Sequence, residues 1–351
     1  MPVEFHALRV CQVRPETDEV VSVAFAVPPH LAELYRYQPG QHLTLRRNFG
    51  DEEVRRSYSI CSGIDDGELR VAVKRVPGGR FSEWVHAELR SGMCLDVMTP
   101  AGRFTTQLDP GRQRHYVALA VGKGITPIMA LLKSCLGREP RSRFTLVYGN
   151  RTTRSILFRD QLADLKDRYL DRFQVIHVLS GQHQDVPLFN GRVDADRLHA
   201  LCATLLQLDT VDEVFVCAPQ PTTQALRETL RDLRVEDSRV HFELFGTPHV
   251  AAPQPAGTAR HQLAVIARGV RTDLDLDAQT TVLEAGLTAG LDLPFSCRDG
   301  VCATCRAHLN EGKVRMAANY ALEPWELERG FILTCQSRPV SQQLVVDYDH
   351  T

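Results

Sequence analysis

The chain has 351 residues, 43% of them hydrophobic and 24% charged, with a formal net charge of -2. That length allows two or three globular domains with ordinary cores, and the near-neutral charge argues against a general affinity for nucleic acid, which needs a basic surface. No apolar run approaches the roughly 18–20 residues needed to span a bilayer, and Met1-Pro2-Val3-Glu4-Phe5-His6 lacks a basic segment leading into an apolar one, so no membrane or secretory signal is read and the cytoplasm is the expected location.

In chain order, short segments rich in Val, Leu, Phe or Tyr predict strands at 5–13, 20–27, 42–47, 55–61 and 69–76. Leu69–Val76 alternates apolar with polar or small residues, the pattern of a half-buried strand. Pro39-Gly40 and Asp65-Asp66-Gly67 mark turns. With one helix near 81–90, residues 1–110 read as a small antiparallel β-barrel. Beyond residue 115 strand and helix alternate. Strands are expected at 117–121, 144–148, 173–179, 213–217 and 240–245, and helices at 127–136, 156–169, 194–206 and 221–233. That order predicts an α/β domain over 111–247, with a parallel sheet covered on both faces. Gly246, Pro248, Pro253, Pro255 and Gly257 punctuate the next stretch, read as a linker over 248–261. Residues 262–351 suffice for a third, smaller domain.

Ten cysteines are present. Six are scattered, and most of these fit small core positions. The other four, Cys297, Cys302, Cys305 and Cys335, form C-x4-C-x2-C followed by 29 residues and a last Cys. This is the ligand spacing of a plant-type [2Fe–2S] cluster, in which two irons need four soft thiolates and three come from one tight loop. Gly300, Ala303 and Thr304 are small enough to let backbone N–H groups approach the sulfurs. Buried cysteines or a zinc site are the alternatives, but zinc sites usually pair C-x2-C twice and the second pair is missing.

Arg56-Ser57-Tyr58-Ser59 lies on an expected barrel strand, where an Arg or Tyr is usually a surface or core residue. Two other segments fit phosphate binding. Val73 to Ser82 runs from strand through Gly78-Gly79 into Arg80, Phe81 and a helix. Val117–Val121 leads into Gly122-Lys123-Gly124-Ile125-Thr126-Pro127, with Thr126 read as N-cap and Pro127 as the first helical residue. The second strand of the α/β domain ends at Tyr148-Gly149-Asn150-Arg151. A dinucleotide site usually has an acid there for the ribose hydroxyls. Here Arg151, Arg154 and Ser155 stand instead, which favours the 2′-phosphate of NADPH while leaving NADH open; ordinary surface arginines are the alternative.

Taken in order, these motifs resemble the ferredoxin–NADP reductase superfamily with a C-terminal plant-type ferredoxin domain. The resemblance implies a multidomain chain: FAD-binding antiparallel β-barrel, NAD(P)-binding α/β domain and α+β β-grasp ferredoxin domain. It implies that Arg56 holds the FAD pyrophosphate, Tyr58 stacks on the isoalloxazine and Ser59 lies near flavin N5. Val73, Gly79, Arg80, Phe81 and Ser82 complete the FAD site, and Gly122, Gly124 and Thr126 the nucleotide loop. Cys217-Ala218-Pro219 is similar to the C-G-P segment near the nicotinamide, with Ala218 in place of glycine, and Lys123 replaces a small residue. Phe245 falls either on the second flavin face or in the strand's core. The implied enzyme is an oxidoreductase passing electrons from NAD(P)H through FAD and the cluster to an oxygenase component. Residues 37–45, 148–152, 300–305 and 316–324 bring the likeness closest to reductase subunits of phenylacetyl-CoA epoxidases, with reductases of other bacterial oxygenases, steroid hydroxylase systems included, as rivals. Arg298, Asp299 and Arg306 are expected at the docking edge for that partner. A ferredoxin-type carrier or cluster-containing sensor without reductase turnover is the alternative of another class.

Overall fold

A computed structural model of the chain describes residues 4–244 and 260–350. Two compact units divide between residues 245 and 246. Phe245 and most of the expected linker lie outside the described residues.

The first unit begins with strands β1 (Phe5–Thr17), β2 (Val20–Ala26), β3 (His42–Phe49), β4 (Glu52–Ser59), β5 (Leu69–Lys74) and, after helix α1 (Arg80–Ala87), β6 (Cys94–Met98). They form one antiparallel sheet in the order β4-β3-β6-β1-β2-β5. A bridge between Ile60 and Val71 joins the two edges and closes the barrel, with Cys61 N–H donating to the Arg70 carbonyl. Leu8, Val23, Leu43, Leu45, Val71 and Val73 fill the interior.

Strand β6 is not among the expected strands. It has only five residues, lying between the Ser91-Gly92 turn and Pro100, yet Leu95 and Val97 alternate inward and Asp96 pairs with Arg46 across to β3. Strand β5 is not half-buried as its pattern predicts. Ala72, on its outer face, belongs to a second core shared with the rest of the unit. Arg70, only 5% exposed, bonds Ser22 and Glu68 there.

The unit continues with β7 (His115–Val121), α2 (Ile125–Arg138), β8 (Arg143–Asn150), α3 (Arg159–Arg168), β9 (Phe173–Leu179), α4 (Ala195–Thr204), β10 (Glu213–Ala218), α5 (Gln220–Asp232) and β11 (Val240–Leu244). All sheet pairs are parallel, in the order β11-β10-β7-β8-β9. The strand order reverses between β7 and β10, and ligands of such sheets bind outside the carboxyl ends at that point. Helix α3 starts three residues later than predicted: Phe158 takes a left-handed φ of 60°, and Ile156 and Leu157 pack into the core as extended chain.

Helix α2 is apolar nearly all round, so it must be covered on more than one side. Ile125, Ile128, Met129 and Leu132 share one core with Tyr116 and Ala118 of the parallel sheet and with Val20, Cys61, Ala72 and Phe104 of the barrel. Polar contacts fix the register: Ser134 Oγ accepts from Ile64 N–H at 3.1 Å, and Lys133 binds Asp66 at 2.8 Å.

The second unit holds β12 (Arg260–Ala267), β13 (Val270–Asp277), α6 (Val282–Thr288), β14 (Arg306–Glu311), β15 (Val314–Met316), α7 (Pro324–Glu328), β16 (Phe331–Leu333), β17 (Ser337–Pro339) and β18 (Gln343–Asp347). Its mixed sheet runs β13-β12-β18-β14-β16, with β12 and β18 parallel. Val282 and Leu283 of α6 pack into the same core as Leu263, Val265, Leu344 and Val346 of the sheet. Thr281 caps α6 in a capping box with Glu284. Strand β12 begins at Arg260, inside the expected linker.

Candidate functional site

Three sets of residues carry the chemistry. The first centres on β4. Its alternation turns Ser59 inward at 2% exposure and leaves Arg56 exposed, with Tyr58 half-buried. The Tyr58 ring lies 6.1 Å from that of Phe81, and burial pushes its hydroxyl pKa up. Arg56 donates to its own neighbour's carbonyl, Arg55 O, at 2.7 Å.

The loop after β5 folds by backbone demand. Gly78 takes φ +72°, and a Cβ on Gly79 would meet Ser82 Oγ at 2.7 Å and Val76 O at 2.9 Å. Ser82 Oγ accepts from Val76 N–H and donates to Gly79 O, so its hydroxyl holds the loop. Phe81 and Val73 are core residues at 1% and 0% exposure. Their side chains belong to the barrel core, so a phosphate bound here would meet this segment through its backbone N–H groups. Arg80 pairs with Glu52 and bonds Phe49 O. Gly78 N–H donates to the Glu83 carboxylate at 2.8 Å. An anion at this loop would replace that acid, which is the fit a flavin pyrophosphate needs.

Ser59 Oγ donates to Glu243 Oε2 at 3.1 Å across 184 positions of sequence. Glu243, on β11, pairs in register with Cys217 of β10. Burial pushes the Glu243 carboxyl up to about 8, with the Ser59 bond opposing. Burial, then the Glu243 charge, pushes the Cys217 thiol well above its usual range, while Lys123 opposes. Cys217 is therefore a neutral thiol and not a thiolate nucleophile. Glu243 is absent from the sequence reading because His241-Phe242-Glu243-Leu244 looks like an ordinary edge strand.

The second set lines a cleft of about 800 Å³ at the carboxyl ends of the parallel strands. Gly122, Lys123, Arg151, Arg154 and Ser155 line it, joined by Arg192, which the sequence reading missed. Gly191-Arg192 after β9 was the available signal, a left-handed glycine (φ +104°) followed by a cation. Gly124 is fixed by close approach: a Cβ there would lie 1.9 Å from Cys217 O. Thr126 and Pro127 do not begin the helix. A 3₁₀ turn over Gly122–Gly124 extends it backward, α2 starts at Ile125 and Thr126 Oγ1 donates to Lys123 O. Tyr148 OH donates to Gly122 O and accepts from Leu157 N–H, tying this turn to the next loop. The Ser155 hydroxyl forms a capping box with Thr152 and so holds the loop that carries Arg151 and Arg154. Desolvation, with Lys74 nearby, lowers the Lys123 ammonium, and Cys217 opposes.

The third set is the cysteine loop of the second unit. Arg298, Gly300 and Ala303 all take positive φ (59°, 75° and 52°), winding the chain around its sulfurs. Asp299 N–H donates to Cys297 Sγ at 3.4 Å, and Gln336 Nε2 to Cys335 Sγ at 3.7 Å. All ten cysteines are free. The four thiols group as Cys297 with Cys302 and Cys305 with Cys335. In each pair a thiol–thiol hydrogen bond holds one member down, Cys302 or Cys335, and pushes the other up. Among the described residues no three His, Cys, Asp or Glu side chains close on a single ion position. Two thiol pairs in an amide-lined loop are instead the donor set that a two-iron cluster requires.

The expected docking edge is only partly exposed. Arg298 faces solvent over the Phe295 ring. Arg306 turns inward to Glu326, and its side chain is only 16% exposed.

Among the described residues no helix is long and apolar enough to cross a membrane. Residues 8–106 match the oxidoreductase FAD-binding domain, 119–273 the oxidoreductase NAD-binding domain and 266–340 the 2Fe-2S iron-sulfur cluster binding domain. The chain is 43% identical over 348 residues to a subunit of the 1,2-phenylacetyl-CoA epoxidase of Escherichia coli, covering 98% of each. It is 38% identical to the ferredoxin reductase component of 3-ketosteroid-9-alpha-monooxygenase of Mycobacterium tuberculosis, covering 97% of this chain and 95% of that one. The structure of phthalate dioxygenase reductase shares the fold at TM-score 0.56 and 24% identity, covering 98% of each.

The folded state favours a neutral Glu243. Ionising it costs stability that accrues as pH rises from its ordinary 4.5 to about 8, then levels off. Glu243→Gln lacks that cost, so its unfolding free energy in denaturant should gain on wild type between pH 5 and 8, by at most about 1.4 kcal/mol per pH unit. A constant difference across that range would show that Glu243 is already ionised.

Proposed function

The chain belongs to the family of FAD- and [2Fe–2S]-containing oxygenase reductases that includes this 1,2-phenylacetyl-CoA epoxidase subunit, and on that premise we propose that it draws electrons from NADPH and delivers them singly to an epoxidase acting on phenylacetyl-CoA. The observation that carries this reading is end-to-end colinearity with that subunit, at higher identity than with the ketosteroid reductases. The expected location is the cytoplasm, where NADPH and acyl-CoA substrates are found.

When bound, the flavin would accept one hydride, two electrons at once, and release them singly to a [2Fe–2S] cluster. The chain's own residues set the stage. Arg56 swings from Arg55 O to a flavin phosphate, and the Gly78–Ser82 loop gives its backbone N–H groups in exchange for Glu83. Tyr58 would cover one face of a bound ring and would have to give way for a nicotinamide to reach it. Ser59, oriented by Glu243, presents its hydroxyl at the ring edge. Glu243, protonated near pH 7, keeps this wall neutral and holds a proton within reach. Cys217 forms an uncharged back wall, and its carbonyl, packed on Gly124, fixes the distance between the glycine turn and β10.

Arg151 and Arg154, with Arg192 in the same cleft, receive the 2′-phosphate; Lys123 serves the pyrophosphate. Charge-assisted hydrogen bonds of this kind contribute about 1.5–3 kcal/mol each. Arg151→Gln with Arg154→Gln should therefore raise KM for NADPH by about tenfold or more, and leave KM for NADH within about threefold. Equal losses for both nucleotides would remove the 2′-phosphate assignment.

The partner is tested by turnover. Purified protein, NADPH and the epoxidase oxygenase component should couple NADPH oxidation to phenylacetyl-CoA consumption. Coupling to a 3-ketosteroid hydroxylase and not to the epoxidase would transfer the chain to that pathway.

A further inference from the structure

Among the described residues of the second unit, Glu326 is a fully buried acid at 0% exposure. Arg306 Nε donates to its Oε1 at 2.7 Å, and the Arg306 side chain is itself only 16% exposed. The guanidinium lies 3.4 Å from the centroid of the Phe331 ring. Glu326 Oε2 accepts from Glu323 N–H at 3.0 Å, the capping box that starts α7. The position of the pair is particular. Arg306 directly follows Cys305 and pairs across the sheet with Leu333, two residues before Cys335. Thr334 gives both its N–H and its hydroxyl to the Cys305 carbonyl, at 3.2 and 2.9 Å. The ion pair thus flanks the place where the strands bearing Cys305 and Cys335 lie side by side.

A buried ion pair is a poor source of stability, because desolvation cancels most of the attraction and an apolar pair of similar size often serves as well. Its fixed charges act on neighbours instead, over a distance at which a low-dielectric interior screens them weakly. Reduction at the thiol loop adds one negative charge and forms or breaks no bond to Arg306 or Glu326. We propose that Arg306 and Glu326 set the reduction potential of the cluster held by the four cysteines: Arg306 supplies a positive charge that favours the reduced form, and Glu326 offsets it. Both are positioning residues that touch neither substrate nor flavin. The inference rests on the reading of the four thiols as cluster ligands, which the visible absorbance of each variant checks separately.

The test is an anaerobic redox titration of the full-length protein, following the reduced cluster by electron paramagnetic resonance. Glu326→Gln should raise the reduced-to-oxidised ratio at the wild-type midpoint about tenfold, 59 mV for one electron. The double variant Arg306→Met/Glu326→Gln, neutral like the native pair, should return to within threefold of wild type. Arg306→Lys, which keeps the charge, should also stay within threefold, and decides the matter if Glu326→Gln does not retain its cluster. With cluster absorbance retained, an unshifted Glu326→Gln overturns the proposal. So does a double variant displaced as far as the single one, because a purely structural pair would be missed twice. A tenfold shift in Arg306→Lys overturns it as well.

Discussion

Helix α2 has almost no polar face, and residues 4–244 are arranged around the need to bury it. The parallel sheet covers one side of α2 and the barrel another, so Ile128 and Leu132 belong to a core that neither could complete alone. This shared core makes the barrel and the nucleotide half one compact unit. It brings the end of β4 to the end of β11, and Ser59 to Glu243. It also sets the glycine turn before α2 against Cys217 O, where only a residue without Cβ fits. Hydride transfer needs two ring systems held to a few tenths of an ångström. A packed apolar helix provides such a constraint by fixing the glycine turn against β10.

The chain separates two kinds of electron chemistry. The proposed hydride site is lined by neutral or neutralised groups: the Cys217 thiol and the Glu243 carboxyl, both raised by burial, and the Ser59 hydroxyl. The cysteine loop is built from backbone. Positive φ values at Arg298, Gly300 and Ala303 aim amides at sulfur, and few side chains take part. One-electron transfer tolerates greater separation than hydride transfer, so the second unit needs a well-tuned charge environment more than a tight fit to a substrate. Its buried Arg306–Glu326 pair supplies such an environment from the residue next to a thiol.

Much of this architecture was legible in the sequence, because the signals were local. C-x4-C-x2-C specifies a loop within nine residues, and Val117–Val121 running into Gly122-Lys123-Gly124 marks a strand, a glycine turn and a helix start. The change from strand rhythm to strand–helix alternation near residue 115 likewise marks the barrel's end. What stayed hidden depends on contacts between distant segments. Glu243 reads as an edge-strand acid until β4 lies beside it. Strand β5 reads as half-buried because its sequence cannot show that Ala72 joins the core around α2 or that Arg70 is held by Ser22 and Glu68. Arg306 gives no sign in the sequence that it is paired, because its carboxylate partner Glu326 lies 20 positions away. Thr126 has the chemistry of an N-cap, but a 3₁₀ turn carried the helix past it.

The central claim is that one chain carries electrons from nicotinamide through flavin to its own cluster. An anaerobic absorbance titration with NADPH tests it most directly. Two flavin electrons and one cluster electron require about one and a half equivalents of NADPH. The account predicts that flavin and iron–sulfur bands both bleach and that bleaching ends near that ratio. Bleaching of the flavin alone, complete at about one equivalent with the cluster left oxidised, would contradict it.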